Sequence, residues 1–186
     1  DVRETTVADA DDRVGAGIPP PPALLATPPV EFVGRDAELE EMQTVWQRAK
    51  SGRHQLLLVA GEPGIGKTRL SLQFARRRGT EGTIVLIGCS DEENLVPYQP
   101  FVESLTWYVR HCPEADLRSQ LSAIGGGADL GPLLPGLGHR IPTLPSPAPA
   151  DPEGQRYRLF EAVAALLASA SRAQPMLLVF DDLHWA

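Results

Sequence analysis

The sequence is poor in the features that mark specialised environments. Only two cysteines, Cys89 and Cys112, stand among 186 residues, with no CxxC pair and no His at ligand spacing. A disulfide framework is not needed at this length, the spacing argues against a zinc site, and a reducing cytoplasm is the expected compartment. No run approaches the ~20 apolar residues of a membrane span, and the opening DVRETTVADADD lacks the apolar core of a signal peptide. Positive charge is scarce as well: 17 Lys and Arg against 24 Asp and Glu give a formal net charge of -7. Such a chain makes a poor nucleic-acid surface, because phosphate contacts need clustered cations. The one basic run, Arg76-Arg77-Arg78, falls at the expected end of a helix, where cations complement the helix dipole. With 42% hydrophobic residues, the remaining chain can bury one globular core.

What is present is unevenly distributed. Residues 1–30 are polar and then proline-rich, with prolines at 19–22 and at 28 and 29. Such a stretch favours extended geometry and reads as a disordered linker. Order is expected from Glu31 onward, over residues 31–186. Asp36 suits an N-cap, and Leu39, Met42, Trp46 and Ala49 recur at helical spacing up to about Lys50. Gln55–Ala60, QLLLVA, reads as a strand buried on both faces, as in a parallel sheet. A helix to about Arg78 and a second strand at Thr83–Gly88 complete a βαβ unit. Pro100–His111 reads as a helix, and Gly125–Pro152 as a long irregular excursion with little periodicity. Glu153–Arg172 reads as a helix with Leu159, Val163, Leu166 and Leu167 on one face, and Met176–Phe180 as a third buried strand. The fold class is therefore α/β with a parallel sheet.

The chemistry centres on Gly61-Glu62-Pro63-Gly64-Ile65-Gly66-Lys67-Thr68, which satisfies GxxxxGK[ST] at every fixed position. Glycines let the backbone curl around an anion with its N–H groups pointing inward, and the following helix presents its positive dipole end. Lys67 is expected to reach the β- and γ-phosphates of ATP, and Thr68 to offer its hydroxyl to Mg²⁺. The pattern by itself also describes a glycine-rich turn. Its position between an expected strand and an expected helix favours the phosphate loop.

The second candidate is the acid pair Asp181-Asp182 at the end of the third strand. The C-terminal end of a parallel strand faces the ligand crevice of an α/β sheet. Asp181 is thus the expected Mg²⁺ partner, and Asp182 is placed to orient or deprotonate the attacking water. The competing reading is two acids that solvate a strand end. Glu92, Glu93 and His184 are weaker candidates, better read as surface or structural. Trp46, Trp107 and Trp185 fit core or interface positions better than a nucleotide-stacking set.

Taken together, Phe32-Val33-Gly34-Arg35-Asp36, GEPGIGKTRL and the ending LLVFDDLHWA resemble the ATPase module of bacterial signal-transduction ATPases with numerous domains. Within that group the chain is most similar to large LuxR-type and antibiotic-regulatory transcriptional activators, and similar modules accompany class III adenylyl cyclases. The resemblance covers Glu31 to Ala186 and includes NLVPYQPF and RYRLFEAV. It implies that Val33, Gly34 and Arg35 lie near adenine and ribose. It implies that Lys67 and Thr68 serve phosphate and Mg²⁺, that Asp181 serves the metal and that Asp182 supports hydrolysis. Many relatives carry Glu where Asp182 stands.

The implied behaviour is a switch that self-associates in its ATP state and is reset by hydrolysis to ADP. DNA would be contacted only through domains outside this chain. The implied architecture is a P-loop NTPase parallel sheet sandwiched by helices, with a later strand between the phosphate-loop strand and the acid-bearing strand. On that pattern the chain is truncated after the acid-bearing strand, and the sensor residue, arginine finger and lid would lie beyond residue 186. The fragment alone would then be inactive. The lack of an initial Met points the same way. A P-loop phosphotransferase and a module that binds ATP without turning it over are the other readings.

Overall fold

The computed structural model describes residues 17–25, 32–90 and 97–183. The elements follow in the order α1 (Pro22–Leu25), α2 (Asp36–Lys50), α3 (Lys67–Thr80), β1 (Ile84–Cys89), α4 (Gln99–His111), α5 (Glu114–Ala123), α6 (Pro135–Arg140), α7 (Pro152–Ala170) and β2 (Met176–Asp181), with a 3-10 turn at Ala128–Leu130.

β1 and β2 pair in parallel, in a register running from Ile84↔Met176 to Cys89↔Asp181. Side chains alternate across this small sheet, as the strand period of two requires. Ile84 and Leu86, with Met176 and Leu178, join the larger core built with α4, α5, α6 and α7. Val85, with Ile87, Leu177 and Val179, meets Leu24 and Ala75 on the opposite face. Outside α3 lies α2, whose Leu39 and Trp46 pack on Leu70 and Phe74. Helices therefore cover both faces of a parallel sheet, the layering expected of the α/β class.

Four expectations need correction. Gln55–Ala60 is not a buried strand: among the described residues it pairs with nothing, and Leu56 and Leu58 are 84% and 73% exposed. An apolar run becomes a strand only when neighbouring backbone takes its N–H and C=O groups, and among the described residues none lies beside Gln55–Ala60. We expect amides of Gln55–Ala60 to exchange with deuterium on the order of 100-fold faster than those of β1. Protection equal to that of β1 would mean a paired strand there.

Next, β2 is half-buried along its length rather than sealed on both faces. The Gly125–Pro152 stretch is irregular only in part: residues 141–151 have no regular structure, but a 3-10 turn at Ala128–Leu130 and α6 precede them. Leu130, Leu134, Leu137 and Ile141 recur at helical spacing and are all buried in the larger core. Their turns are short because Gly131, Pro132, Pro135 and Gly138 interrupt them, which conceals the periodicity. Arg158 ties the stretch down through Asp129 at 3.2 Å and the Ala148 carbonyl at 2.6 Å. Finally, the proline-rich region is not a bare spacer over its described part. Pro22 opens a short helix, where a missing N–H costs nothing, and Leu24 is buried.

The basic run divides its work among three residues. Arg77 and Arg78 do sit in the last turn of α3. Arg78 is largely buried, lies 5.1 Å over the Phe74 ring and bridges to Glu81 at 2.7 Å. Arg76 instead holds α1.

Candidate nucleotide-binding site

The site is assembled by chain direction. α3 ends where β1 begins, with only a tight turn between them. The N-terminus of α3 therefore lies at the C-terminal end of the sheet, the end where Cys89 and Asp181 stand. That is where ligands bind in open parallel sheets. α3 also packs directly on β2, so the two sequence motifs share one side of the molecule.

The phosphate loop has the backbone its glycines allow. Gly64 and Gly66 have φ of 78° and 94°, and Gly66 caps α3. An added Cβ at either position would meet nothing within 4 Å, so it is the left-handed backbone, not space, that requires glycine. Gly66→Ala should cost ~1–2 kcal/mol and lower Tm by a few degrees in a thermal melt. An unchanged melt would mean that the loop relaxes out of this geometry.

Lys67 curls back over the loop, its Nζ donating to the carbonyls of Gly61 at 3.0 Å and Glu62 at 3.1 Å. The ammonium is thus held over the cradle. Glu62, Pro63 and Ile65 make up the rest of the turn, closed by Ile65 N–H to the Glu62 carbonyl at 3.4 Å. Thr68 follows in the first turn of α3.

The Val33-Gly34-Arg35 segment is brought to this loop. Gly34 and Arg35 both have positive φ, 76° and 64°, and end the approach to α2. Arg35 Nη2 donates to the Ile65 carbonyl at 3.1 Å, and its Nη1 to Glu38 Oε1 at 2.6 Å. The Arg35 hydrogen bond holds the Glu38 carboxyl below its ordinary value. Arg35 rather than Asp36 occupies the cap position of α2, which corrects the expected cap. Val33 is 80% exposed.

At the acid pair, Asp181 closes β2, and its carbonyl accepts from Ser90 N–H at 3.2 Å. Asp182 turns out of the strand at φ 54°, its N–H donating to Asp181 Oδ1 at 3.1 Å. Cys89, opposite Asp181, senses these acids. Burial pushes its thiol up, and the Glu103, Asp181 and Asp182 carboxylates push it further. The same negative field favours a cation at this end of the sheet. Among the described residues no cluster of three or more His, Cys, Asp or Glu could hold a metal by itself.

Two features escaped the sequence reading. Glu103 of α4 accepts from the Cys89 N–H at 2.9 Å and so caps the end of β1. No spacing rule separates it from any other helix-surface Glu. Gly88 lets the backbone of Pro100 press against β1. A glycine inside an apolar strand is a recognised sign of such an approach. Glu92, Glu93, His184 and Trp185 lie outside the described residues, while Trp46 is a core residue as expected.

The layered sheet and the glycine loop opening a helix define a phosphate-loop nucleotide-binding module. More particularly, the chain belongs to the AAA ATPase domain family, whose model matches residues 31–186. No curated protein and no solved structure matches it. The family makes this an ATP-binding ATPase module. Among the described residues, no helix is long and apolar enough to cross a membrane.

Proposed function

We propose that this chain is the ATP-binding and ATP-hydrolysing switch module of a multidomain bacterial transcriptional regulator. The observation that carries the nucleotide reading is the loop itself: left-handed glycines lead into α3, with Lys67 held over the turn and Arg35 anchored to it. Residues 61–68 would bind the phosphates, and Val33, Gly34 and Arg35 would border the nucleoside. Thr68 and Asp181 would hold Mg²⁺, which when bound neutralises phosphate charge. Asp182 would orient the attacking water. Its side chain is one methylene shorter than the Glu that many relatives carry there. The regulatory assignment is supported by the resemblance of FVGR and DDLHWA to such regulators. DNA contact and self-association in the ATP state are assigned to the whole protein, and the cytoplasm is the proposed compartment.

The resemblance of Phe32-Val33-Gly34-Arg35 favours adenine and the given sequence shows no NKxD-type guanine-reading motif, so ATP should be preferred over GTP. A labelled ATP analogue bound to the protein should be displaced by ATP at lower concentration than by GTP. Equal potency would refute the adenine reading.

A further inference from the structure

Gly17–Leu25 lies upstream of the residues matched by the family, yet it is built into their core. Leu24 is 5% exposed and packs with Ala75 of α3 and Val85 of β1, whereas Leu25 beside it is 72% exposed. At the other end of the segment, Ile18 packs on the larger core, on the α4 side of the sheet. Both helical layers grip its backbone. Trp107 Nε1 of α4 donates to the Pro19 carbonyl at 3.0 Å, and Arg76 Nε of α3 donates to the Leu24 carbonyl at 2.7 Å. Prolines 19–22 have no N–H to offer, so carbonyls are the natural handles, and their fixed φ reduces the entropy lost on docking. A spacer needs neither grip.

We propose that Gly17–Leu25 is a clamp that couples the chain before it to the phosphate-loop helix. Ala75 and Arg76 belong to the same continuous helix as Lys67 and Thr68, Lys67–Thr80. Tension or docking upstream of residue 17 is therefore delivered to the body that carries the phosphate loop. The nucleotide half of this inference rests on the ATP reading above. If binding at the loop and docking of the strap are linked, each must favour the other.

The test is hydrogen–deuterium exchange with Mg·ATP titration on the full chain, comparing the wild type with Leu24→Asp and Leu25→Asp. In the wild type, Mg·ATP should slow exchange at both residues 61–68 and residues 17–25. Leu24→Asp should speed exchange of residues 17–25 and of α3 at least about tenfold and weaken Mg·ATP severalfold. Leu25→Asp should do neither. Unprotected residues 17–25 in the wild type, or unchanged α3 exchange in Leu24→Asp, would overturn the clamp. If Leu24→Asp unfolds the chain, Arg76→Gln removes the 2.7 Å bond while leaving the buried leucine. It must then loosen residues 17–25 and weaken Mg·ATP, and failure to do so would also overturn the proposal. Protection of residues 61–68 with none at 17–25 would defeat the coupling alone. Absence of protection at 61–68 would defeat the ATP reading, leaving the α3 exchange of Leu24→Asp and Arg76→Gln to decide the clamp.

Discussion

Replacing Lys67 with Ala is expected to lower the affinity for Mg·ATP at least about tenfold in a calorimetric titration, because charge-assisted hydrogen bonds of this kind contribute ~1.5–3 kcal/mol. The lysine stands ready for that role. Its Nζ is held over the loop by the Gly61 and Glu62 carbonyls, both exposed interactions that a phosphate oxygen can join or replace. For the same reason the fold should hardly notice the loss, since an exposed hydrogen bond contributes little to net stability. The expected signature is a large drop in affinity with an almost unchanged melt in the absence of nucleotide. A melt that collapses would instead make Lys67 a structural brace. Equal affinity in mutant and wild type would remove the phosphate-loop reading.

Gly88→Ala is expected to be among the most damaging substitutions in the chain, although it adds one methyl group. The new Cβ would fall on the backbone of Pro100, 2.6 Å from its carbonyl carbon and 2.7 Å from its Cα. Backbone cannot rotate aside as a side chain can, so β1 and α4 must separate. Overpacking of this kind costs ~1–3 kcal/mol or more, which for a chain of this size lowers Tm by roughly 2–12 °C. The damage should reach the site too. The Cys89 N–H to Glu103 bond, one residue on, depends on the same close approach, and Cys89 stands opposite Asp181. A thermal melt and the exchange rate of β1 amides measure both effects. A variant as stable as the wild type would mean that the first turn of α4 is free to move off the strand.

Much was legible in the linear sequence where one local force sufficed. The amphipathic spacing of Leu39, Met42 and Trp46 placed α2, since burial of one face is a property of the helix period. The glycines of GEPGIGKT located the turn that opens α3, because left-handed turns demand glycine whatever surrounds them. β-rich runs located β1 and β2 to within a residue at each end. The assignments that failed depend on partners far away in sequence. QLLLVA has the apolar content of a strand, but pairing decides strands, and among the described residues no backbone pairs with it. The leucines of residues 130–141 look scattered among Gly and Pro until α4 and α7 supply the core they fill. Residues 19–24 read as a spacer because the groups that hold Pro19 and Leu24, Trp107 and Arg76, lie more than 50 residues away. Sequence alone determined the elements with strong local codes and the glycine turn that opens α3. Tertiary structure decided strand pairing, the cap that Glu103 places on β1 and the docking of the strap, because the free energy of each comes from groups that only folding brings together.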